Sequence, residues 1–493
     1  MSRKPAWQSL DPDRCRRGKA DRNPGATSRE AAARAAGRTQ GSRMNYRALD
    51  HRTFSPAAAG LGLVFVFAIF APTFRSYIGT QGAIIVNGGI LILLCLWMVG
   101  NGQVLRFLSQ QEATAYKIIA GCFFYYFVAI AFATLFLSKR VVVPDLYELH
   151  KPVLHLLSFT AAFVFIGTAA HLERVTRLLL WCFAGIVLIS LVQIAGVGAI
   201  GEMYTKEANV RAGRVTAPFG NPYDYAFVMS FYVYLFALRF VKLRTAGSLV
   251  GLPITLALVV LSQSRTNVIV IAIALAVVIP VMLILDRSAA IRRLLIPVEL
   301  RKYSIIAAIA GGGALLVIGF FGDEVRYLVG GIERLLQEGR QSSLDVRLRQ
   351  LEVITAMAAQ DVWIALFGNG VSKDVMPLVE SSYAFFLFRY GVVGFLIVFV
   401  LPLLVVLWIL IRMLLEVRSD QKYLAMAVLV WFVTLPVASI GNSFTEQPKI
   451  SFLFYFLMGL GIRYYYLAKH VPDSIPATRE TDPITQHLPL AAS

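Results

Sequence analysis

Apolar runs long enough to cross a bilayer recur along this chain, at about 56–74, 82–99, 117–137, 152–170, 177–197, 222–241, 247–263, 267–285, 303–322, 382–411, 423–440 and 450–468. A helix needs roughly 20 mainly apolar residues to span the hydrocarbon core, and inside lipid a helix satisfies its own backbone polar groups. With 57% hydrophobic and only 15% charged residues, and a mean hydropathy of +0.66, the chain falls outside the range of a soluble globule, in which about a quarter of residues are charged. The expected fold class is therefore all-α, a polytopic membrane protein of about 12 transmembrane helices. Ser264, Arg265, Thr266 and Asn267 alone divide the seventh run from the eighth. One helix over both would far exceed a bilayer, so two spans with a polar hinge are expected.

Residues 1–50 carry twelve Lys/Arg against five Asp/Glu and little apolar periodicity. The organisation read from this is a disordered basic cytoplasmic arm at 1–54, transmembrane helices 1–9 across 55–322, a large periplasmic loop at 323–381, helices 10–12 across 382–468 and a cytoplasmic tail at 469–493. The arm lacks the apolar core and cleavage site of a signal peptide, and Met44 is an alternative first residue. Anionic membrane lipid, and no nucleic acid, is the expected partner of its charge. With the arm inside, Arg287, Arg292, Arg293, Arg301 and Lys302 share one cytoplasmic connection, and Arg412, Arg418 and Lys422 another, as the positive-inside bias requires. Both termini are then cytoplasmic. Segment 323–381, with six Lys/Arg against nine Asp/Glu, suits translocation. Cys95, Cys122 and Cys182 sit inside apolar runs and Cys15 in the arm, without metal-ligand spacing.

This topology puts four polar stretches on one side: RVTAPFGNPYDYA at 214–226, SRTN at 264–267, the large loop, and ESSYAFFLFRYGVVG at 380–394. Arginine at the membrane boundary either snorkels to headgroups or answers an anion, and its planar fork suits phosphate. Arg211, Arg214 and Arg265 are candidates for that role. Asn221-Pro222 reads as a helix start whose amides would add donors for an anion. In the large loop Leu344, Leu348, Leu351, Ile354 and Ala358 recur at helical spacing, an amphipathic helix that turns Arg347 inward and Arg349 to solvent. Gly368 and Gly370 turn the chain after it. Glu380 is either a general base or a salt-bridge partner. Arg389, about two turns into its span, calls for a partner on another helix or an anionic ligand. Tyr223, Tyr225, Tyr383 and Trp363 either stack on sugar faces or belong to an aromatic belt.

Taken together, GRVTAPFGNP before a span, SQSRTN at the next hinge, an arginine upstream of a Gly-x-Gly turn in a large loop, and YGVVG early in the following span resemble the bacterial O-antigen ligase and polysaccharide polymerase superfamily, over roughly residues 200–410. The resemblance implies a metal-independent glycosyltransferase of the bacterial inner membrane that needs no cofactor. Its donor would be a polyprenyl-pyrophosphate-linked glycan, and a flippase and a chain-length regulator its partners. Arg214, Arg265 and Arg347 match the positions that hold the pyrophosphate, with Glu380 completing the expected catalytic set. Arg211, Arg389, Tyr223 and Tyr383 are the expected substrate contacts. Ligases of this superfamily typically carry a histidine just before the tenth span. Here that position reads VESSYAF, and the six histidines, at 51, 150, 155, 171, 470 and 487, all lie elsewhere. A polymerase of O-antigen or exopolysaccharide repeat units is therefore expected, although the spaced Arg and Gly motif of some polymerases does not occur at Arg211, Arg214 or Arg347. The alternatives are a ligase acting on a lipid A-core acceptor and a small-anion transporter, whose charges would sit near the midplane rather than the rim.

Overall fold

The computed structural model describes residues 55–72, 75–100, 110–138, 141–197, 203–204, 213–286, 342–376, 379–417, 419–444 and 447–470. The basic arm, Arg211, the 303–322 run, the loop as far as residue 341 and the tail beyond residue 470 lie outside these. The main unit is Ala58–Ser493. In order along the chain the helices are α1 (Ser55–Phe70), α2 (Arg75–Gly100), α3 (Gln110–Phe132, running on through a π turn at Ala133–Leu137), α4 (Val143–Leu146), α5 (His150–Phe165), α6 (Ala169–Ile194), α7 (Pro222–Leu243), α8 (Ala246–Leu261), α9 (Arg265–Asp286), α10 (Ser342–Gln360), α11 (Val362–Phe367), α12 (Ser382–Glu416), α13 (Tyr423–Gly441) and α14 (Pro448–His470). No strand occurs among the described residues. Every predicted apolar run other than 303–322 overlaps one of these helices, but α1 stops at Phe70, short of residue 74, and the 152–170 run is broken between the end of α5 at Phe165 and the start of α6 at Ala169. Seven of them (α3, α6, α7, α9, α12, α13 and α14) are long and apolar enough to cross a membrane, while α8 and the Ile85–Trp97 part of α2 are shorter apolar helices. The chain is an α-helical membrane protein.

Burial separates the centre of the bundle from its rim. The most apolar stretch of α14 is 100% buried and those of α7 and α13 are 78% buried, against 33% for α9 and α12, so the first three form the core. α14 lies along α5, and α7 along α8 and α13. Between helices in lipid there is no water to expel, so close packing by small residues carries the association. Gly459 shows how tight this is: a Cβ there would stand 2.7 Å from the Phe159 carbonyl oxygen and 2.8 Å from the Ala162 Cβ. The rim exposes Trp181, Phe136, Phe124 and Leu93, an apolar surface that only lipid would cover. Cys95, Cys122 and Cys182 are buried thiols.

The helices break where the sequence is polar or rich in glycine. α8 ends at Leu261, Gln263 adopts a left-handed φ of 58° and Ser264 leads into α9. The expected hinge is therefore present but lies slightly earlier, with Arg265 as the first residue of α9. Asn221 caps α7, its Oδ1 accepting from the Tyr223 amide at 3.0 Å, and Pro222 takes the first position, where no amide hydrogen is needed. α12 is broken at Gly391 (φ 62°, ψ −169°). The turn after α11 is pressed into that break: a Cβ on Gly368 (φ 81°) would lie 2.4 Å from the Arg389 carbonyl carbon and the Tyr390 nitrogen. Backbone meets backbone there, which only glycine permits.

Candidate functional site

The loop that carries Arg214 is fixed by neutral side chains before any charge is considered. Gln193 of α6 accepts the amides of Thr216 (3.0 Å) and Ala217 (2.9 Å) on Oε1 and donates from Nε2 to the Arg214 carbonyl at 2.9 Å. Val215 donates its amide to the carbonyl of Leu261, where α8 ends, at 3.2 Å. Lys449 of α14, only 6% exposed, donates to the Pro218 carbonyl at 3.0 Å and to those of Ile69 (3.3 Å) and Ala71, closing the end of α1 as well. Held in this way, the half-buried Arg214 donates from Nε to Gln263 Oε1 at 3.3 Å. The first two polar stretches therefore touch at the α8–α9 break.

From that break a string of contacts runs on to Glu380. Asn267 donates to Ser264 Oγ at 2.9 Å and to the Tyr223 carbonyl at 3.3 Å. Thr266 lies against Gly441, the last residue of α13, where a Cβ would meet Thr266 Oγ1 at 2.8 Å. The Gly441 carbonyl, left over at a helix end, accepts from Arg347 Nη2 of α10 at 2.8 Å. Arg347 Nε stands 3.6 Å from Glu380 Oε2, with the two side chains 12% and 34% exposed. Glu380 in turn donates its amide to Gln350 Oε1 at 3.1 Å. Ser381 and Ser382 donate to the carbonyls of Ser439 (3.2 Å) and Asn442 (2.8 Å), and Asn442 Nδ2 donates to the buried Asp224 Oδ1 at 2.7 Å. The starts of α7, α9 and α12 and the end of α13 thus meet at one end of the bundle, with α10 laid against them.

Arg214, Arg347 and Glu380 belong to this assembly by their side chains, Arg265 by its place as the first residue of α9, and Tyr223 by its carbonyl. On α10, Ile354 is buried, Leu351 and Ala358 are half-buried and Arg349 is exposed, which is the orientation the spacing predicts. Leu348 differs, being 48% exposed, because Arg347 and Gln350 face the bundle and bond Gly441 and Glu380. Breaking two such bonds would cost more than exposing one leucine. The expected anion donors at the start of α7 are answered by the chain itself: Asn221 takes the Tyr223 amide, and Asp224 occupies the first turn.

Arg389, expected to meet a partner on another helix or an anionic ligand, has a partner inside the protein. Only 4% exposed, it meets Glu148 Oε2 at 3.3 Å and lies 4.3 Å over the Phe385 ring. Glu148 also pairs with Lys373 at 2.6 Å and with Lys151, while Asp145 accepts the Lys373 amide at 3.2 Å. Burial pushes the Glu148 carboxyl upward, but Lys151, Arg389 and Lys373 outweigh it and hold it well below the usual carboxylate range. Two tyrosines expected against sugar are likewise engaged inside the protein. Tyr383 donates its hydroxyl to the Pro436 carbonyl at 2.7 Å, and Tyr225 is fully buried with its hydroxyl 2.8 Å from Ser190 Oγ. Trp363 is 57% exposed and stacks on Phe367. Gln193, Gln263, Asp224, Asn442 and Lys449 are parts of the site that the charge pattern does not point to. Their signal is weaker: a polar side chain at or inside an apolar run is expensive unless it has work to do.

Comparison with protein-family models and with curated proteins finds no match. What the site can do follows from its side chains. Arg214 Nε and Arg347 Nη2 each donate to a neutral oxygen, of Gln263 and of Gly441, and Glu380 stands 3.6 Å from Arg347 Nε. Among the described residues no group of three or more His, Cys, Asp or Glu is placed to hold a metal ion. Fixed guanidinium groups with Glu380 beside them suit an anion such as phosphate or pyrophosphate, together with a hydroxyl that must give up a proton.

Proposed function

We propose that the chain is a polymerase of lipid-linked polysaccharide repeat units, built on a twelve-span layout in the inner membrane with this site at the periplasmic face and both termini cytoplasmic. The observation that supports the reading is the contact string from Arg214 through Gln263, Thr266, Gly441 and Arg347 to Glu380, which gathers stretches far apart in sequence. In the proposed reaction Arg214, Arg265 and Arg347 hold the pyrophosphate of a polyprenyl-linked glycan. The acceptor hydroxyl oxygen of another lipid-linked repeat unit forms a bond to the anomeric carbon as the bond from that carbon to the pyrophosphate oxygen breaks. The pyrophosphate leaves with the electron pair, Glu380 takes the hydroxyl proton, and fixed positive charge stabilises the leaving group.

The test is the profile of surface and lipid-linked glycans in a deletion strain complemented with wild type, Arg265→Ala or Glu380→Ala at matched membrane levels. Loss of long chains with single repeat units remaining, restored by wild type and not by Arg265→Ala, is the expected result. Long polymer stranded on the lipid carrier would instead indicate the ligase. An unchanged profile would remove both and leave the transporter.

A further inference from the structure

Arg347 carries a polar edge that the protein leaves unfinished. Its side chain is 12% exposed and Nη2 is bonded to the Gly441 carbonyl, yet its buried Nε–H has no hydrogen-bond partner. Glu380 Oε2 stands 3.6 Å away, near enough to attract the charge and beyond hydrogen-bond length. A buried donor without an acceptor is costly, so this edge favours a closer oxygen. Glu380 is also the looser partner of the pair. Its side chain is 34% exposed, while its backbone is held independently by Gln350, so the carboxylate can swing away without unpicking the chain.

We propose that Glu380 is a placeholder for the anionic ligand of Arg347, displaced when a pyrophosphate oxygen takes the Nε edge and thereby freed to accept a proton. The inference rests on the polymerase reading and adds an order to it. A guanidinium fork prefers two oxygens of one phosphoryl group to one loosely placed carboxylate, and a second negative charge at the same cation repels the first. Once displaced, the 34% exposed carboxylate is no longer turned to Arg347 and can face the acceptor hydroxyl. Donor binding therefore positions the base before the acceptor hydroxyl attacks the anomeric carbon. Once the proton has passed to Glu380 and the pyrophosphate departs, Arg347 is open to the carboxylate again after that proton is lost to water.

The experiment titrates inorganic pyrophosphate into the full-length protein in phosphatidylcholine nanodiscs and compares wild type with Glu380→Gln, Glu380→Asp and Arg347→Ala. Wild type should bind saturably and Arg347→Ala at least about tenfold more weakly. Glu380→Gln should bind tighter than wild type by roughly fivefold, because an ion-pair competitor has been removed. Glu380→Asp, which withdraws the carboxylate by one methylene while keeping its charge, should tighten binding by a smaller factor and guards against misfolding of the first variant. Equal or weaker binding by both Glu380 variants would overturn the placeholder and leave the polymerase reading standing. Absence of pyrophosphate binding by wild type would overturn the clamp and the placeholder together. If phosphatidylglycerol added to the disc displaces pyrophosphate from wild type and Glu380→Gln alike, an ordinary lipid headgroup is the occupant and the inference fails.

Discussion

Arg389 and Arg347 are both turned into the protein, yet their surroundings differ in kind. Arg389 is 4% exposed and shares Glu148 with Lys151 and Lys373, whereas Arg347 leans on a backbone carbonyl with a one-third exposed Glu380 beside it. In the first region removing either sign strands the other in a dry place. In the second, the carboxylate can reach water and the cation can take another oxygen. A closed ionic cluster of the first kind fixes the turn after α11 against α12, and an open pair of the second kind is available for exchange. The same residue type is thus a rivet in one place and, on the proposed function, a binding group in the other.

The sharpest way to break this comparison is Glu148→Gln, which leaves three cations around a neutral amide. It should cost about 3–5 kcal/mol, read from thermal unfolding in detergent, and a loss below about 1 kcal/mol would put the two regions in the same class. Acid sharpens the point. The folded Glu148 carboxyl is depressed, so its stabilisation is full above the unfolded value near 4.3 and is lost as pH falls from there toward the folded value. The stability gap between wild type and Glu148→Gln should therefore stay level from pH 7 to about pH 5 and narrow below about pH 4.

Arg347→Ala should reverse the balance between stability and activity. Chain elongation should fall by about 100-fold, as for loss of one fixed transition-state donor, while unfolding shifts by no more than about 1 kcal/mol. A large stability loss with unaltered elongation would make Arg347 another rivet. Asn442→Ala, which takes a donor from the buried Asp224, should cost about 1–3 kcal/mol. At the small end is Arg177→Ala, whose partner Glu173 is 68% exposed. It should change stability by less than about 0.5 kcal/mol and leave glycan length alone.

The helices and their hinges are legible in the sequence because lipid demands continuous apolar runs and polar residues punctuate them. Helical spacing also places Arg347 inward and Arg349 outward without any knowledge of neighbours. Two things are not legible. The partner of Arg389 is 241 residues away, and nothing in either local sequence selects Glu148 over Glu380. The frame of the site is the other: Gln193, Gln263, Asn442 and Asp224 act through geometry that exists only after packing, and an amide near an apolar run looks the same whether it clamps a loop or faces a headgroup. The Leu348 exposure has the same origin, since apolar periodicity knows nothing of the bonds offered by Gly441 and the Glu380 amide.

Lys449 gathers the carbonyls of Ile69, Ala71 and Pro218, which lie 380, 378 and 231 residues before it. During synthesis, α1 and the Arg214 loop must therefore enter the membrane and wait for an ammonium group that has not yet been made. At roughly 5–20 residues per second the wait after Pro218 is on the order of ten seconds to a minute. A nascent chain halted just before α14 would already hold Arg214, Arg265, Arg347 and Glu380 and would still lack the brace that joins their scaffold to α1. Insertion of that helix, more than the appearance of any arginine, sets the moment at which the fold is complete.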